Sequence, residues 1–144
     1  MNDTGVTAHL EGLIRDRVAA VGAKDVAALA ARYADDVVLF DAVGPLSDRG
    51  VDVEIRRLEN WFGAYRTGIG LEIRELEVAA ADGFAFGHYL FQVRGTMNDG
   101  TAVSMWVRST VCFREHEDGW KIVHEHSSVP FDGTTGRALV GLRP

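Results

Sequence analysis

GLEIRELEVAAADGFAFGHYLFQVRGTMNDGTAVSMWVRSTVCFREHEDGWKIVHEHSSV, from Gly70 to Val129, carries three Asp-Gly steps, at Asp82-Gly83, Asp99-Gly100 and Asp118-Gly119. Each lies between runs rich in Val, Phe, Tyr and Leu. Asp-Gly is a strong hairpin signal because Gly, and less readily Asp, accepts positive φ. Steps 17 and 19 residues apart predict four consecutive antiparallel strands, near 70–81, 84–97, 101–116 and 120–129. In the first, the apolar phase shifts between Leu71/Ile73 and Leu76/Val78, which predicts a β-bulge near Glu75 and a bent sheet.

Taken as two-residue loops, Asp99-Gly100 and Glu117-Asp118 fix a register. Rows then run Phe86, Phe113, Ile122; His88, Val111, His124; Leu90, Ser109, His126; and Gln92, Val107, Ser128. That face is apolar at one end and turns polar and titratable at the other, as a pocket wall would. A slip of one residue sets Trp106, Arg108 and Thr110 beside the histidines instead. Pointing outward, Trp106 and Arg108 suit an aromatic, Arg-bearing dimer surface.

Upstream, Val6, Leu10, Leu13, Ile14, Val18 and Val21 recur at three- and four-residue steps and predict an amphipathic helix ending near Gly22. Asp25 can cap a second helix with Val26, Leu29, Ala30 and Tyr33 as its buried stripe. A short apolar run from Val37 to Phe40 ends at Asp41, and GPLSDRG from Gly44 to Gly50 reads as a loop. Ile55, Leu58, Trp61, Phe62 and Tyr65 mark a third helix with an aromatic face.

A chain of 144 residues suits one domain, here 1–144 with a C-terminal tail from 130 to 144. With 47% apolar and 25% charged residues it has a soluble globular balance. A net charge of -6 disfavours nucleic acid, whose binding needs Lys and Arg against phosphate. The single Cys112 precludes an internal disulfide, the first residues lack the pattern of a secretory signal, and no stretch approaches the ~20 apolar residues of a membrane span. A cytoplasmic protein without membrane contact is expected. No acyl-enzyme, phosphate-loop or dinucleotide motif is present.

The order helix, helix, short strand, helix, four-stranded meander resembles the cone-shaped α+β fold of the nuclear transport factor two, ketosteroid isomerase and SnoaL-like superfamily. YADDVVLFDAVGPL (Tyr33–Leu46), MWVRSTVCF (Met105–Phe113) and GWKIVHEHSSVPFD (Gly119–Asp132) look like its SnoaL-like branch. The resemblance implies a curved antiparallel sheet wrapped around three N-terminal helices, an internal, mostly apolar pocket, and a homodimer through the outer sheet face. It places the proton-shuttling aspartate of ketosteroid isomerases at Asp41. The isomerase's two oxyanion donors fall near Arg17 and Ser109, so its known constellation is not reproduced. An acid/base aspartate of limonene epoxide hydrolase falls near His126.

Asp41 is read either as a general base in the cavity or as an Asx residue opening the following turn. His126 and His124 are either a general acid and a substrate donor or satisfied core histidines. Ser109, His88, Trp61, Leu58 and Phe86 would complete the substrate wall, although an aromatic stripe such as Trp61, Phe62 and Tyr65 is more often core. A His-x-His pair can chelate metal, but His88 would lie two strands from His124, roughly 10 Å away, so neither metal nor other cofactor is expected. Glu125, between the histidines, is expected on the opposite face, solvated or at a dimer interface with Arg108. Cys112 reads as structural. Two function classes follow: a cofactor-independent isomerase, cyclase or hydratase that moves a proton on a small hydrophobic substrate, or a non-catalytic ligand-binding or assembly module.

Overall fold

Helix α1 (Asp3–Gly22) begins where the Asn2 side chain accepts from the Gly5 N–H at 2.8 Å, and its inward stripe is Val6, Leu10, Ile14 and Val21. These details belong to a computed structural model that describes residues 2–144. Asp25 caps α2 (Val26–Ala30) as expected, by accepting from the Ala28 N–H at 3.0 Å. The predicted stripe ends early, however, because Tyr33 opens strand β1 (Tyr33–Phe40) instead of closing the helix. The competing interaction is tertiary: Arg32 C=O accepts from the Ile122 N–H at 2.8 Å, and Tyr33 pairs with Ile122. The loop reading of 44–50 gains a two-residue strand, β2 (Asp48–Arg49), which pairs with β1. Helix α3 (Val51–Gly63) buries Glu54, Leu58 and Phe62, one residue per turn.

Strands β3 (Gly70–Ala81), β4 (Phe84–Thr96), β5 (Ala102–His116) and β6 (Gly119–Ser128) form the predicted meander within a residue at each end. With β1 and β2 they make one open six-stranded sheet in the order β2-β1-β6-β5-β4-β3. Every pairing is antiparallel except β1 with β6, which is parallel. The expected bulge is present: Glu75 has φ 56, and the β3–β4 register shifts between Arg74 and Glu77. Extra residues of this kind bend the strand, which lets the sheet curl over the helices. Leu10 and Ile14 of α1 then meet Tyr89, Val111, Phe113 and Ile122 in one cluster. Val21, Leu29, Leu58, Phe62, Tyr65, Ile69 and Val93 form a second. No helix among the described residues is long and apolar enough to cross a membrane.

The predicted rows need correction at two points. The β4–β5 turn is a three-residue loop, Asn98-Asp99-Gly100, closed by the Met97 N–H donating to Thr101 C=O at 2.9 Å, with Gly100 at φ 91. Phe86 therefore faces Cys112, His88 faces Thr110, Leu90 faces Arg108 and Gln92 faces Trp106. The two-residue Glu117-Asp118 turn is as expected, with His116 opposite Gly119. Beyond it, Val123 is an unpaired extra residue, since Phe113 pairs with Ile122 and Cys112 with His124. A single extra residue turns every later side chain to the other face. The inner face consequently runs Ala85, Gly87, Tyr89, Phe91 and Val93 on β4, and Ile122, Glu125 and Ser127 on β6.

The α3–β3 connection packs down on β4 at Gly95. A Cβ there would lie 2.9 Å from Tyr65 Cδ2 and 3.1 Å from the Gly68 carbonyl oxygen, so backbone would have to move. Gly95→Ala is expected to cost about 1–3 kcal/mol in urea unfolding, as overpacking does, whereas Gly133→Ala, with nothing within 4 Å, should be near neutral. Equal stability of the two variants would contradict this packing.

Candidate active site

Between the helices and the concave side of the sheet lies a cavity of about 540 Å³. Its apolar part is built from Leu29 of α2, Leu58 and Trp61 of α3, Ile73 of β3, Phe91 of β4 and Val107 of β5. Val43, 75% exposed, stands on its rim in the β1–β2 loop. The polar part is concentrated: Arg17, Asp41, Glu54, Arg57, Tyr89, Ser109, Glu125 and Ser127 all reach the cavity wall. Three carboxylates and two guanidiniums thus share a largely apolar enclosure, where each charge must be paired or altered in protonation.

Arg17 projects from α1, three residues after Ile14 and four before Val21, so it lies on the buried stripe. Its Nη1 donates to Glu125 Oε2 at 2.7 Å and to Tyr89 Oη at 3.1 Å, and its Nη2 donates to Tyr33 Oη at 2.9 Å. The Tyr33 hydroxyl in turn donates to Glu125, 3.0 Å from Oε1 and 3.2 Å from Oε2. Burial by itself would raise the Glu125 carboxyl; the charge and hydrogen bond of Arg17, then the Tyr33 hydroxyl, more than offset it and hold Glu125 below the usual carboxylate range. Burial pushes the Tyr33 and Tyr89 phenols up, so both keep their protons.

The second group sits on α3 and the loop after β1. Arg57 forks between Asp41 and Glu54, bonding Asp41 Oδ2 with Nη2 and Glu54 Oε2 with Nη1. Asp41 Oδ1 also accepts from the Ala42 N–H at 2.8 Å, so both oxygens of Asp41 are engaged. Glu54 differs. Only 2% of it is exposed, Oε2 meets Arg57, and Oε1 accepts no hydrogen bond from the described residues. Burial, then the nearby charge of Glu125, push its carboxyl up to about 7 against the pull of Arg57 and Arg17. A carboxyl raised toward neutrality is suited both to take and to return a proton.

Of the residues singled out from sequence, Asp41, Ser109, Trp61 and Leu58 line the cavity. Leu58 and Trp61 come from α3, Ser109 from β5, where it is 4% exposed, and Asp41 from the loop that follows β1. His124, His126, His88 and Phe86 stand on the outer face, turned there by the two register changes above. His124 Nδ1 lies 2.8 Å from Val38 C=O, and the Phe40 ring contacts both β6 histidines edge-on, at 4.8 and 5.4 Å between centroids. His88 Nε2 is 3.6 Å from Glu77. Conversely Glu125, expected on the outer side with Arg108, points inward to Arg17, while Arg108 Nε donates to Ser128 Oγ at 3.1 Å. Trp106 is outward, with the Arg74 guanidinium 5.4 Å from its ring. Among the described residues no three His, Cys, Asp or Glu side chains are grouped as metal ligands.

Sequence reasoning passed over Glu54, Arg57, Tyr89 and Arg17 as members of one site. Two left a readable signal, since Arg17 and Glu54 are charges on otherwise apolar helical stripes, Glu54 one turn before Leu58. Such a charge must find a buried partner. Tyr89 had no comparable mark, because both faces of β4 carry apolar residues.

The raised Glu54 pKa has a defined consequence for stability. The native state holds its proton more tightly than the unfolded chain, so Glu54 costs nothing below its ordinary value of 4.5 and destabilises progressively as pH rises toward about 7. Relative to Glu54→Gln, wild type is expected to lose roughly 3 kcal/mol across that window and then level off, as read by urea unfolding at each pH. Parallel pH–stability curves for the two proteins would contradict the assignment.

Residues 10–132 match the SnoaL-like domain family. Among solved structures, an NTF2-like protein of unknown function from Pseudomonas putida is 32% identical, with 98% of each chain covered and a TM-score of 0.89. An NTF2-like superfamily protein from Salmonella enterica is 15% identical, covers 92% of this chain and 96% of its own, and has a TM-score of 0.81. A ketosteroid isomerase-like protein from Erwinia carotovora is 22% identical over 85% of this chain and 94% of its own, with a TM-score of 0.72. No curated protein matches the sequence. With the family match spanning most of the chain, and the open sheet curling over its helices as in these structures, the protein belongs to the SnoaL-like domain family.

Proposed function

We propose that the cavity binds a small, largely apolar molecule and that the protein is a cofactor-independent acid/base enzyme of the isomerase, cyclase or hydratase type. The observation that carries this reading is Glu54, whose Oε1 faces a largely apolar cavity without a hydrogen-bond partner among the described residues and whose carboxyl is pushed up to about 7. In the simplest step, Glu54 carboxylate removes a C–H proton α to a substrate carbonyl, and the electron pair moves onto the carbonyl oxygen. Tyr89, its hydroxyl polarised by Arg17, and Ser109 are hydroxyl donors on the same cavity wall for the resulting enolate. Return of the proton from Glu54 to another carbon gives an isomer. Asp41 holds Arg57, and through it Glu54, in place; with both its oxygens engaged it is the poorer base.

Proton exchange tests this without knowledge of the natural substrate. The probe is 2-tetralone in D2O, with α-deuteration followed by NMR. Glu54→Gln is expected to slow enzyme-dependent exchange by ~100- to 10,000-fold with the fold intact, Asp41→Asn by less, and His126→Ala not at all. Exchange at the wild-type rate in Glu54→Gln would sink the reading.

A second role rests on a separate observation. Phe84 and Phe86 are 55% and 49% exposed, on the sheet face that also carries Trp106 and the β6 histidines. Apolar rows of this kind suit an interface, and a homodimer through the outer sheet face is the assembly they support. Phe86→Glu is expected to shift sedimentation from dimer to monomer at micromolar concentration. A wild-type protein that sediments as a monomer would remove this role. A cytoplasmic setting fits the lone, unpaired Cys112, and the net charge of -6 disfavours nucleic acid as a partner.

A further inference from the structure

We infer that the cavity selects an uncharged lipophilic hydroxyl compound, a phenol, enol or alcohol, over the corresponding carboxylate, because Glu54 Oε1 is an unpaired acceptor in a site with one carboxylate in excess. The inference rests on the ligand-binding reading above and adds the chemical class. Charges on the cavity wall are Arg17 and Arg57 against Asp41, Glu54 and Glu125, with no lysine among them. Both guanidiniums are already charge-compensated within the protein. Arg17 is bonded to Glu125, Tyr89 and Tyr33, and Arg57 to Asp41 and Glu54. An arriving carboxylate would meet an excess of negative charge in a largely apolar cavity, at an energetic cost that a neutral hydroxyl avoids.

Ionised Glu54 can only accept hydrogen bonds, and Oε1 has nothing from the protein to accept. A ligand O–H completes it, including that of the enol to which a ketone such as 2-tetralone converts in the proposed step; an ether of the same shape does not. Sites built to bond a ligand hydroxyl reject analogues that lack it, because the buried protein group is then left unpaired. The remaining wall, with Trp61, Phe91, Leu58 and Val107, supplies the apolar contact. Discrimination should follow the protonation of Glu54. The groups facing it are Arg57 on its own helix, Asp41 through Arg57, Arg17 from α1, Tyr33 from β1 and Glu125 from β6. Glu54 itself gains a proton near neutrality, at about 7.

Three ligands of one shape decide the matter: 2-naphthol, 2-methoxynaphthalene and 2-naphthoate, with Kd from isothermal titration calorimetry. At about pH 8, 2-naphthol is expected to bind at least about tenfold tighter than either of the others. The naphthoate penalty should shrink as pH falls through the Glu54 transition, and by about tenfold in Glu54→Gln. Should Glu54→Gln fail to fold, the wild-type pH series carries the same comparison. Naphthoate binding as well as naphthol at about pH 8, or a penalty insensitive to pH, overturns the inference while leaving ligand binding in place. Failure of all three to bind overturns the ligand-binding reading and the inference together.

Discussion

The ion pair between Arg17 and Glu125 is the contact around which the site is arranged. It joins the first helix to the last strand across the interior, and Tyr33 and Tyr89 add β1 and β4 through the same guanidinium. With 16% and 11% of the two side chains exposed, neither charge has enough water to stand alone. Removing one partner of such a pair typically costs about 3–5 kcal/mol, because the other is left buried and uncompensated. The pair therefore pins four elements to one geometry. Its own geometry depends on the extra residue at Val123, which turns Glu125 inward.

That arrangement sets the chemistry of the neighbouring group. Glu125 remains ionised because Arg17 and Tyr33 satisfy both of its oxygens, and its charge then helps keep the proton on Glu54. Arg57 pulls the other way but divides itself between Glu54 and Asp41. The result is a separation of roles among three carboxyl groups in one cavity: two fully bonded within the protein, one with an oxygen unclaimed. Environments that push like groups apart in pKa are how one site comes to hold both structural ions and a proton carrier.

The outer face shows the same bulge from the other side. Because the β6 histidines are expelled from the cavity, Phe40 meets both of them on the surface, beside a row that includes Phe86. One backbone irregularity thus decides both what lines the pocket and what the sheet presents outward. Strand bulges commonly act at such positions, where they re-aim a side chain without changing the pairing partners.

Much of the fold could be read along the chain, because its signals are local. The Asp-Gly turns marked the meander, the phase change near Glu75 marked its bend, and Asp25 marked a cap. Asp41, Ser109, Trp61 and Leu58 were placed in the cavity by strand and helix period together with family resemblance. The histidines of β6 were not, because the facing of a strand residue depends on every extra residue between it and the turn. Neither the third loop residue beside Asp99-Gly100 nor the unpaired Val123 has a side chain that announces it. What the sequence by itself determined, then, was the order of elements, their caps and turns, and which helical stripes carry a charge. Only the tertiary structure decided that Arg17 would meet Glu125 and that Glu54 would keep an oxygen free, since both depend on burial and on partners up to 108 residues away in the chain.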